Sequence, residues 1–203
     1  MKTKMILTVS MVTALILLNG CGGGSQAKTG FISDYSKLQK ESDSSLRYID
    51  KEAADKITGF IVDPVKVVFY PGAKSEGKLT NEQITDLTSY MQSKIREAVQ
   101  GAGKNIAYQP AAGVARIRVA LTDIEKTSAI NIVPQASLLG AGIGGASMEA
   151  EVVDSITGRQ IGAVIDSGKG SRIPFTNLGE WTAAKGVMDN WAARFQKRLE
   201  ESR

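Results

Sequence analysis

The stretch from residue 114 to residue 124, Val-Ala-Arg-Ile-Arg-Val-Ala-Leu-Thr-Asp-Ile, carries the clearest strand signal in the chain. Apolar and mostly polar side chains alternate along it, with Ala115, Ile117, Val119 and Leu121 on one face and Arg116, Arg118, Ala120 and Thr122 on the other. A period of two is typical of a strand that rests one face on a core. We therefore predict a strand here.

A hairpin is predicted downstream, over residues 147–154 and 160–166. Apolar and acidic residues alternate along its first strand, which reads Met148, Glu149, Ala150, Glu151, Val152. The connection at residues 156–158, Ile-Thr-Gly, places a glycine where a hairpin turn needs a positive φ. A strand followed by a hairpin favours an antiparallel sheet.

Two apolar stripes at helical spacing predict helices over residues 81–100 and 178–200. Thr80 and Gln83 have the spacing of a capping box before the first helix, and Asn177 and Glu180 have it before the second. The stripes consist of Ile84, Leu87, Met91, Ile95, Ala98 and Val99, and of Trp181, Ala184, Met188, Trp191, Ala192, Phe195 and Leu199. The two tryptophans are expected to be core anchors.

The remaining segments complete a single predicted domain over residues 31–203. Residues 60–70, with Pro64 inside them, and residues 105–109 are expected to be strands, and residues 40–45 a polar loop. Phe31, Ile32, Tyr35 and Leu38 are expected to dock on the domain. The order of elements predicts an α+β fold, with an antiparallel sheet of four to five strands and two helices packed on one face.

The N-terminal residues predict export and lipidation at Cys21. Lys2 and Lys4 precede an apolar run over residues 5–18, which is shorter than the roughly 20 residues of a transmembrane helix. Residues 18–21, Leu-Asn-Gly-Cys, resemble a bacterial lipobox, so we expect residues 1–20 to be a cleaved lipoprotein signal peptide. Plain export and a buried N-terminal helix are weaker alternatives. Residues 21–30 are expected to form a flexible tether about 15–18 Å long.

Composition excludes several classes of activity. The chain has no histidine, which rules out Ser-His-Asp and Cys-His catalysis and His-ligated zinc. Its single cysteine is the predicted acylation site, so no disulfide is expected. Lys and Arg are scattered among Asp and Glu, so we expect no nucleic-acid partner. Neither a cofactor nor a metal is predicted, and the protein is not expected to be an enzyme.

A glycine-rich stretch contains a formal G-x-G-x-x-G pattern at Gly140, Gly142 and Gly145. A dinucleotide site needs this pattern to follow a strand and open a helix, whereas here a strand is predicted to follow. Nucleotide binding is therefore disfavoured, and a mobile connection between strands is the plain interpretation. Residues 130–146 are uncharged and largely apolar, so a third hypothesis is that this loop contacts lipid or a partner protein.

Charged residues on the predicted sheet could form a binding groove or a metal site, but a structural role is favoured for each set. Arg116 and Arg118 are expected across from Glu149 and Glu151, where such charges usually form a solvated face rather than a binding groove. Three aspartates, Asp63, Asp154 and Asp166, resemble a metal-binding set. Each lies at a turn or strand end, however, where Asp is favoured for local hydrogen bonds.

Three blocks resemble a known family. They are residues 30–38, Gly-Phe-Ile-Ser-Asp-Tyr-Ser-Lys-Leu; residues 63–65, Asp-Pro-Val; and residues 154–159, Asp-Ser-Ile-Thr-Gly-Arg. After a lipidated N-terminus, they resemble the bacterial lipoprotein family of domain of unknown function 3313, over nearly the whole mature chain. The family has no established activity, so the resemblance implies no catalytic residue. It implies a Gram-negative envelope lipoprotein, and Gly22 after the cysteine is similar to lipoproteins sorted to the outer membrane.

The expected function is therefore that of a binding or scaffolding module in the cell envelope. The lipid anchor is expected to hold the protein on the periplasmic face of the outer membrane, where another envelope protein, peptidoglycan or lipid is the expected partner. An envelope hydrolase using carboxylates is the alternative, and the sequence offers no paired acidic motif for it. Self-assembly through the glycine-rich loop is a third hypothesis, and the oligomeric state is left open.

Overall fold

The computed structural model describes residues 28–128, 142–171 and 179–202. The predicted signal peptide, Cys21 and most of the predicted tether lie outside these ranges, as does most of the glycine-rich loop. Among the described residues, no helix has both the length and the hydropathy to cross a membrane.

The described residues form an eight-stranded mixed sheet and three helices, so the predicted antiparallel sheet of four to five strands with two helices is wrong. The strands are β1 (Gln39–Ser42), β2 (Ser45–Ile49), β3 (Gly59–Val62), β4 (Lys66–Val67), β5 (Asn105–Ile106), β6 (Val114–Glu125), β7 (Gly145–Asp154) and β8 (Gln160–Lys169). The helices are α1 (Lys51–Ala54), α2 (Asn81–Gly101) and α3 (Thr182–Glu201). Strand order is β1-β2-β8-β7-β6-β3-β5, and β4 also pairs with β6.

The parallel strands explain why the sheet is mixed. β6 pairs with β7 along one edge, and its other edge is shared by β3 and β4, both parallel to it. The predicted strand over residues 60–70 is thus divided at Asp63-Pro64-Val65, because proline cannot donate a ladder hydrogen bond. Parallel strands need a long crossover, and α2 supplies it between β4 and β5.

The β1–β2 hairpin corrects the predicted loop over residues 40–45. All four residues of β1 are exposed, and β2 pairs antiparallel with β8. A polar, exposed strand at the edge of a sheet has no apolar alternation to reveal it, and polar edges also discourage pairing with other chains. The sequence pattern therefore could not distinguish this hairpin from a loop.

Two cores lie on opposite faces of the sheet. All three helices contribute to the larger core, which includes Leu87 and Met91 of α2, Met188 and Trp191 of α3, and Met148 of β7. The smaller core consists of Ile32, Ala163 and Ile165, with Phe31, Tyr35, Leu38 and Leu46 packed against it. The prediction that residues near 31–38 dock on the domain is confirmed.

The helix boundaries follow their caps where a cap exists. Thr80 accepts from the Gln83 amide and the Gln83 side chain accepts from the Thr80 amide, so the predicted capping box of α2 is confirmed. In contrast, α3 begins at Thr182 rather than residue 178, and its N-cap residue, Trp181, makes no side-chain cap hydrogen bond. The proposed cap Asn177 lies outside the described residues.

A buried carboxylate fixes the loop that leads from β4 to α2. Asp123, on β6, is only 3% exposed and accepts hydrogen bonds from the Tyr70 hydroxyl, the Lys74 amide, and the amide and hydroxyl of Ser75. Burial raises the pKa of Asp123, but these hydrogen bonds outweigh it and leave the pKa below its usual value. The ionised carboxylate therefore ties this loop to the centre of the sheet.

We predict that Asp123→Ala lowers the free energy of unfolding at pH 7 by about 2–3 kcal/mol, because it leaves buried donors without an acceptor. Since the folded-state pKa is depressed, the contribution of Asp123 is complete above its ordinary pKa of about 4 and disappears as the pH falls through the folded value. Urea denaturation at pH 7 and pH 3 measures both effects. The control is Asp43→Ala, whose side chain is 98% exposed; equal effects of the two variants would contradict the prediction.

Candidate functional site

A concave apolar surface lies between α3 and β2, and we name it the α3–β2 groove. Helix α3 lines it with Trp191, Phe195 and Leu199, and β2 lines it with Arg47 and Ile49. The central strands contribute further apolar side chains, among them Ile117, Val119, Met148, Ala150, Val152, Ile161 and Val164. The groove exists because β1 and β2 extend the sheet beyond the area that α3 covers.

The groove contains a cavity of about 160 Å³ that is open to the surface. Trp191 is 4% exposed and Leu199 is 9% exposed, whereas Ile49 is 42% exposed. Clefts with apolar walls and a few polar groups are the usual form of ligand sites. The arrangement is suited to burying an apolar group.

Cationic side chains outnumber their carboxylate partners along the groove. Arg47 and Arg198 share one carboxylate, that of Glu41, with N–O distances of 2.8 and 2.9 Å to its Oε1. Lys104 donates from Nζ to the Ile57 carbonyl at 2.9 Å. Because a carbonyl is neutral, the positive charge of Lys104 is not neutralised by this contact. The groove therefore has an apolar interior and a net positive lining in the described part of the chain.

Two acidic residues line the groove, Asp166 and Glu151, and the Glu151 carboxylate is paired with Arg118 on the other face of the sheet. Asp166 is 4% exposed and forms an ion pair with Arg194, at 2.6 Å between Oδ2 and Nη2. Burial raises the pKa of Asp166 above its ordinary value, and the neighbouring Arg194 only partly opposes this. The pair lies among apolar side chains of the groove, and Arg194 neutralises the charge of the ionised Asp166 carboxylate.

The acidic face of β7 is not the solvated face that the sequence predicted. Glu149 and Glu151 are 0% and 1% exposed, and they lie on the face opposite the helices. Arg118 does pair with Glu151, as its register opposite that residue predicts, but Arg116 pairs with Asp63 at 2.5 Å. The prediction is wrong because a segment of the same chain covers these carboxylates.

That segment, residues 28–38, is named the N-terminal strap. Glu149 accepts from the amide and hydroxyl of Thr29, at 2.7 and 2.9 Å, and from the Tyr35 hydroxyl at 2.5 Å. Glu151 accepts from the amide and hydroxyl of Ser33, at 2.9 and 2.7 Å. The end of the predicted tether, including Thr29, is thus hydrogen-bonded to the middle of the sheet.

The three aspartates considered as a metal set do not form one. Asp63 pairs with Arg116, Asp166 pairs with Arg194, and Asp154 accepts from Ile156 and Thr157 in the hairpin turn. The structural interpretation of Asp154 is confirmed, and Gly158 has the expected positive φ of 71°. Within residues 28–128, 142–171 and 179–202, no group of three or more metal-ligating side chains is found.

The last glycine of the G-x-G-x-x-G pattern, Gly145, begins a strand, whereas a dinucleotide site needs the pattern to begin a helix. Gly145 begins β7, and a Cβ at this position would lie 2.3 Å from the Gly168 carbonyl oxygen of β8. Glycine is needed there for the close approach of the two strands. Gly140 and the rest of residues 129–141 lie outside the described residues, so the hypothesis of a contact between this loop and lipid or protein stays a prediction.

Sequence reasoning missed the α3–β2 groove. Its α3 side chains were assigned to the core, and its β2 side was not recognised as a strand. The only signal was a wide apolar stripe on α3, whose Phe195 and Leu199 extend beyond what a sheet of four or five strands would cover.

The fold is a mixed β-sheet with its helices against one face and the strap on the other. The chain belongs to the family described as protein of unknown function (DUF3313), whose sequence model matches residues 27–195, so the resemblance to that family is confirmed. Among curated protein sequences, none is significantly similar to this chain.

Solved structures similar to this one include PelC from Paraburkholderia phytofirmans and a single-substitution variant of it, both described as dodecamers. The identities are 12% for PelC and 11% for the variant, with TM-scores of 0.44 and 0.45. Each similarity covers 77% of this chain and 96% of the other.

We predict that Tyr35→Phe loosens the N-terminal strap. The Tyr35 hydroxyl donates to Glu149 and accepts from the Gly30 and Ile32 amides at 2.9 and 3.1 Å, so its loss removes three hydrogen bonds. We expect the free energy of unfolding to fall by about 1–2 kcal/mol and the amides of residues 30–33 to exchange at least tenfold faster in hydrogen-exchange mass spectrometry. Tyr108→Phe, at a residue 83% exposed, is the control; unchanged exchange in Tyr35→Phe would refute the role of this hydroxyl.

Proposed function

We propose that this protein is an outer-membrane lipoprotein whose periplasm-facing domain is a binding module, with the α3–β2 groove as its binding site. The observation that carries the proposal is the open apolar cavity of about 160 Å³ between α3 and β2. Clefts with apolar walls and a few polar groups are the usual form of ligand sites, and an apolar cavity of about 150 Å³ can bind benzene. The proposed partner is an envelope component that places an apolar group in the groove.

The lipid anchor in this proposal rests on the N-terminal sequence. A charged start, a short apolar run and the Leu-Asn-Gly-Cys block at residues 18–21 are typical of a lipoprotein signal. Gly22 follows the cysteine, which supports sorting to the outer membrane. Thr29, which donates to Glu149, follows Cys21 closely in sequence, so an anchor at Cys21 would hold the domain near the membrane.

A role in binding is favoured over hydrolysis by the positions of the carboxylates. A carboxylate hydrolase generally needs two acidic groups flanking the scissile bond. Asp166 lines the groove, but the carboxylates of Glu149 and Glu151 bind the N-terminal strap on the opposite face. The hydrolase alternative would therefore need a second acidic group that the described part of the groove does not bring to Asp166.

We predict that Cys21→Ser abolishes incorporation of labelled palmitate and removes the protein from the outer-membrane fraction. Gly22→Asp is expected to keep the palmitate label and to move the protein to the inner membrane, because the residue after the cysteine directs sorting in this proposal. Palmitate labelling and sucrose-gradient fractionation measure the two effects. Gly24→Asp adds the same charge two residues later and serves as the control. Outer-membrane retention of unlabelled Cys21→Ser would overturn the lipid anchor.

The binding site is tested by photo-crosslinking in cells. A benzophenone amino acid in place of Ile49, at the groove, is expected to capture an envelope component that the same amino acid in place of Ile156 does not capture. Ile156 is the matched control because it is 63% exposed and lies in the β7–β8 turn. Mass spectrometry identifies the adducts. No adduct at residue 49, or the same adducts at both positions, would show that the groove is not the binding site.

A further inference from the structure

We infer that the α3–β2 groove binds an amphiphile with a single alkyl chain and an anionic head group, an inference that rests on the proposed function. The chain enters the apolar cavity beneath α3, and the head group is held by Arg47 and Arg198. Three features of the groove support this assignment: the size of the cavity, its lining and the unused donors of the two arginines.

The size of the cavity sets how much of the ligand is buried. An apolar cavity of about 150 Å³ accommodates benzene, so the 160 Å³ of this groove corresponds to an apolar group of about six carbon atoms. One alkyl chain fits such a volume, whereas the two chains of a bilayer lipid exceed it. The ligand is therefore a single-chain molecule, and its remaining carbons reach from the cavity to the rim.

The lining indicates where the polar end of the ligand lies. Phe195 and Leu199 offer no hydrogen-bond donor to an anionic group. The donors of Arg194 and Trp191 are already engaged with Asp166. A charged head group would lose its hydration among these apolar side chains, so it remains at the rim. The rim at Arg47 and Arg198 is partly exposed, with both side chains at 33% of full exposure.

The two arginines have donors to spare. Arg47 contacts Glu41 through Nε, and Arg198 contacts both Glu41 oxygens through Nη2. Each guanidinium carries five N–H donors in a planar fork that matches a carboxylate or phosphate. One shared carboxylate leaves the pair with a formal charge of +1. An anionic head group adds to this cluster without displacing Glu41, and it neutralises the remaining charge.

The experiment uses the full lipidated chain in phosphatidylcholine nanodiscs, titrated calorimetrically with octanoate, hexanoate and 1-octanol, with empty nanodiscs as the background. We expect octanoate to bind about 15-fold more tightly than hexanoate, since each buried methylene contributes about fourfold. We expect 1-octanol to bind at least tenfold more weakly than octanoate. Equal affinity for octanoate and hexanoate overturns burial of the chain, and equal affinity for octanoate and 1-octanol overturns recognition of the head group.

Variants assign the two ends of the ligand. Arg198→Gln and, independently, Arg47→Gln are expected to weaken octanoate about tenfold and to leave 1-octanol unchanged. Arg159→Gln is the matched charge control, because Arg159 is 59% exposed and pairs with Asp50, away from the groove lining. Val164→Phe, which adds a ring to the cavity lining, is expected to weaken both probes. An Arg159→Gln effect as large as that of Arg198→Gln would mean that only net charge matters and would overturn the inference.

Two comparisons separate this inference from the proposed function. Octyl phosphate is expected to bind like octanoate, and dihexanoylphosphatidylglycerol to bind at least tenfold more weakly; the reverse order overturns the single-chain ligand. If benzophenone at residue 49 captures an envelope protein and octanoate does not bind, the groove is a binding site for protein and the inference is wrong. If neither probe finds a ligand, the inference and the proposed function are both wrong.

Discussion

Two carboxylates on the same face of β7, Glu149 and Glu151, have almost no contact with solvent and must therefore be hydrogen-bonded within the protein. An uncompensated buried charge costs several kcal/mol, which is a large part of the stability of a small domain. Thr29, Ser33 and Tyr35 provide most of the donors, and Arg118 provides the one cation. The strap is thus required by the sheet, and the smaller core around Ile32 forms because these hydrogen bonds hold the strap there.

Acidic and apolar side chains alternate along β7, so the two faces of the sheet differ in character. Side chains alternate along a strand. Because Glu149 and Glu151 face the strap, Met148 and Ala150 face the helices and help to form the larger core. The helices leave the β2 side of that core partly uncovered, and the groove results. The strap covers the other face with hydrogen bonds and with the smaller core around Ile32.

The sequence predicted those elements whose pattern is local. The alternation in β6, the capping box at Thr80 and the turn at Gly158 depend on residues close in sequence, and each was found where expected. Partners distant in sequence were not predictable in this way. The acidic face of β7 looked solvated because the strap that covers it precedes it by more than 100 residues. The polar strand β1 lacks the apolar alternation that marks buried strands, so the groove beside it could not be anticipated.

The position of the strap has a mechanical consequence. A pull on the chain ahead of Lys28 is carried first by the hydrogen bonds between Thr29 and Glu149, and β7 lies well inside the sheet rather than at its edge. The contacts of Ser33, Tyr35 and Ile32 share this load, and together they are expected to break before the strand ladders on either side of β7 do. Residues 28–38 then become an extended chain, which adds about 35 Å to the segment that precedes the rest of the domain. If the residues ahead of Lys28 were held under tension, release of the strap would let the rest of the domain, with its groove intact, move away from that point.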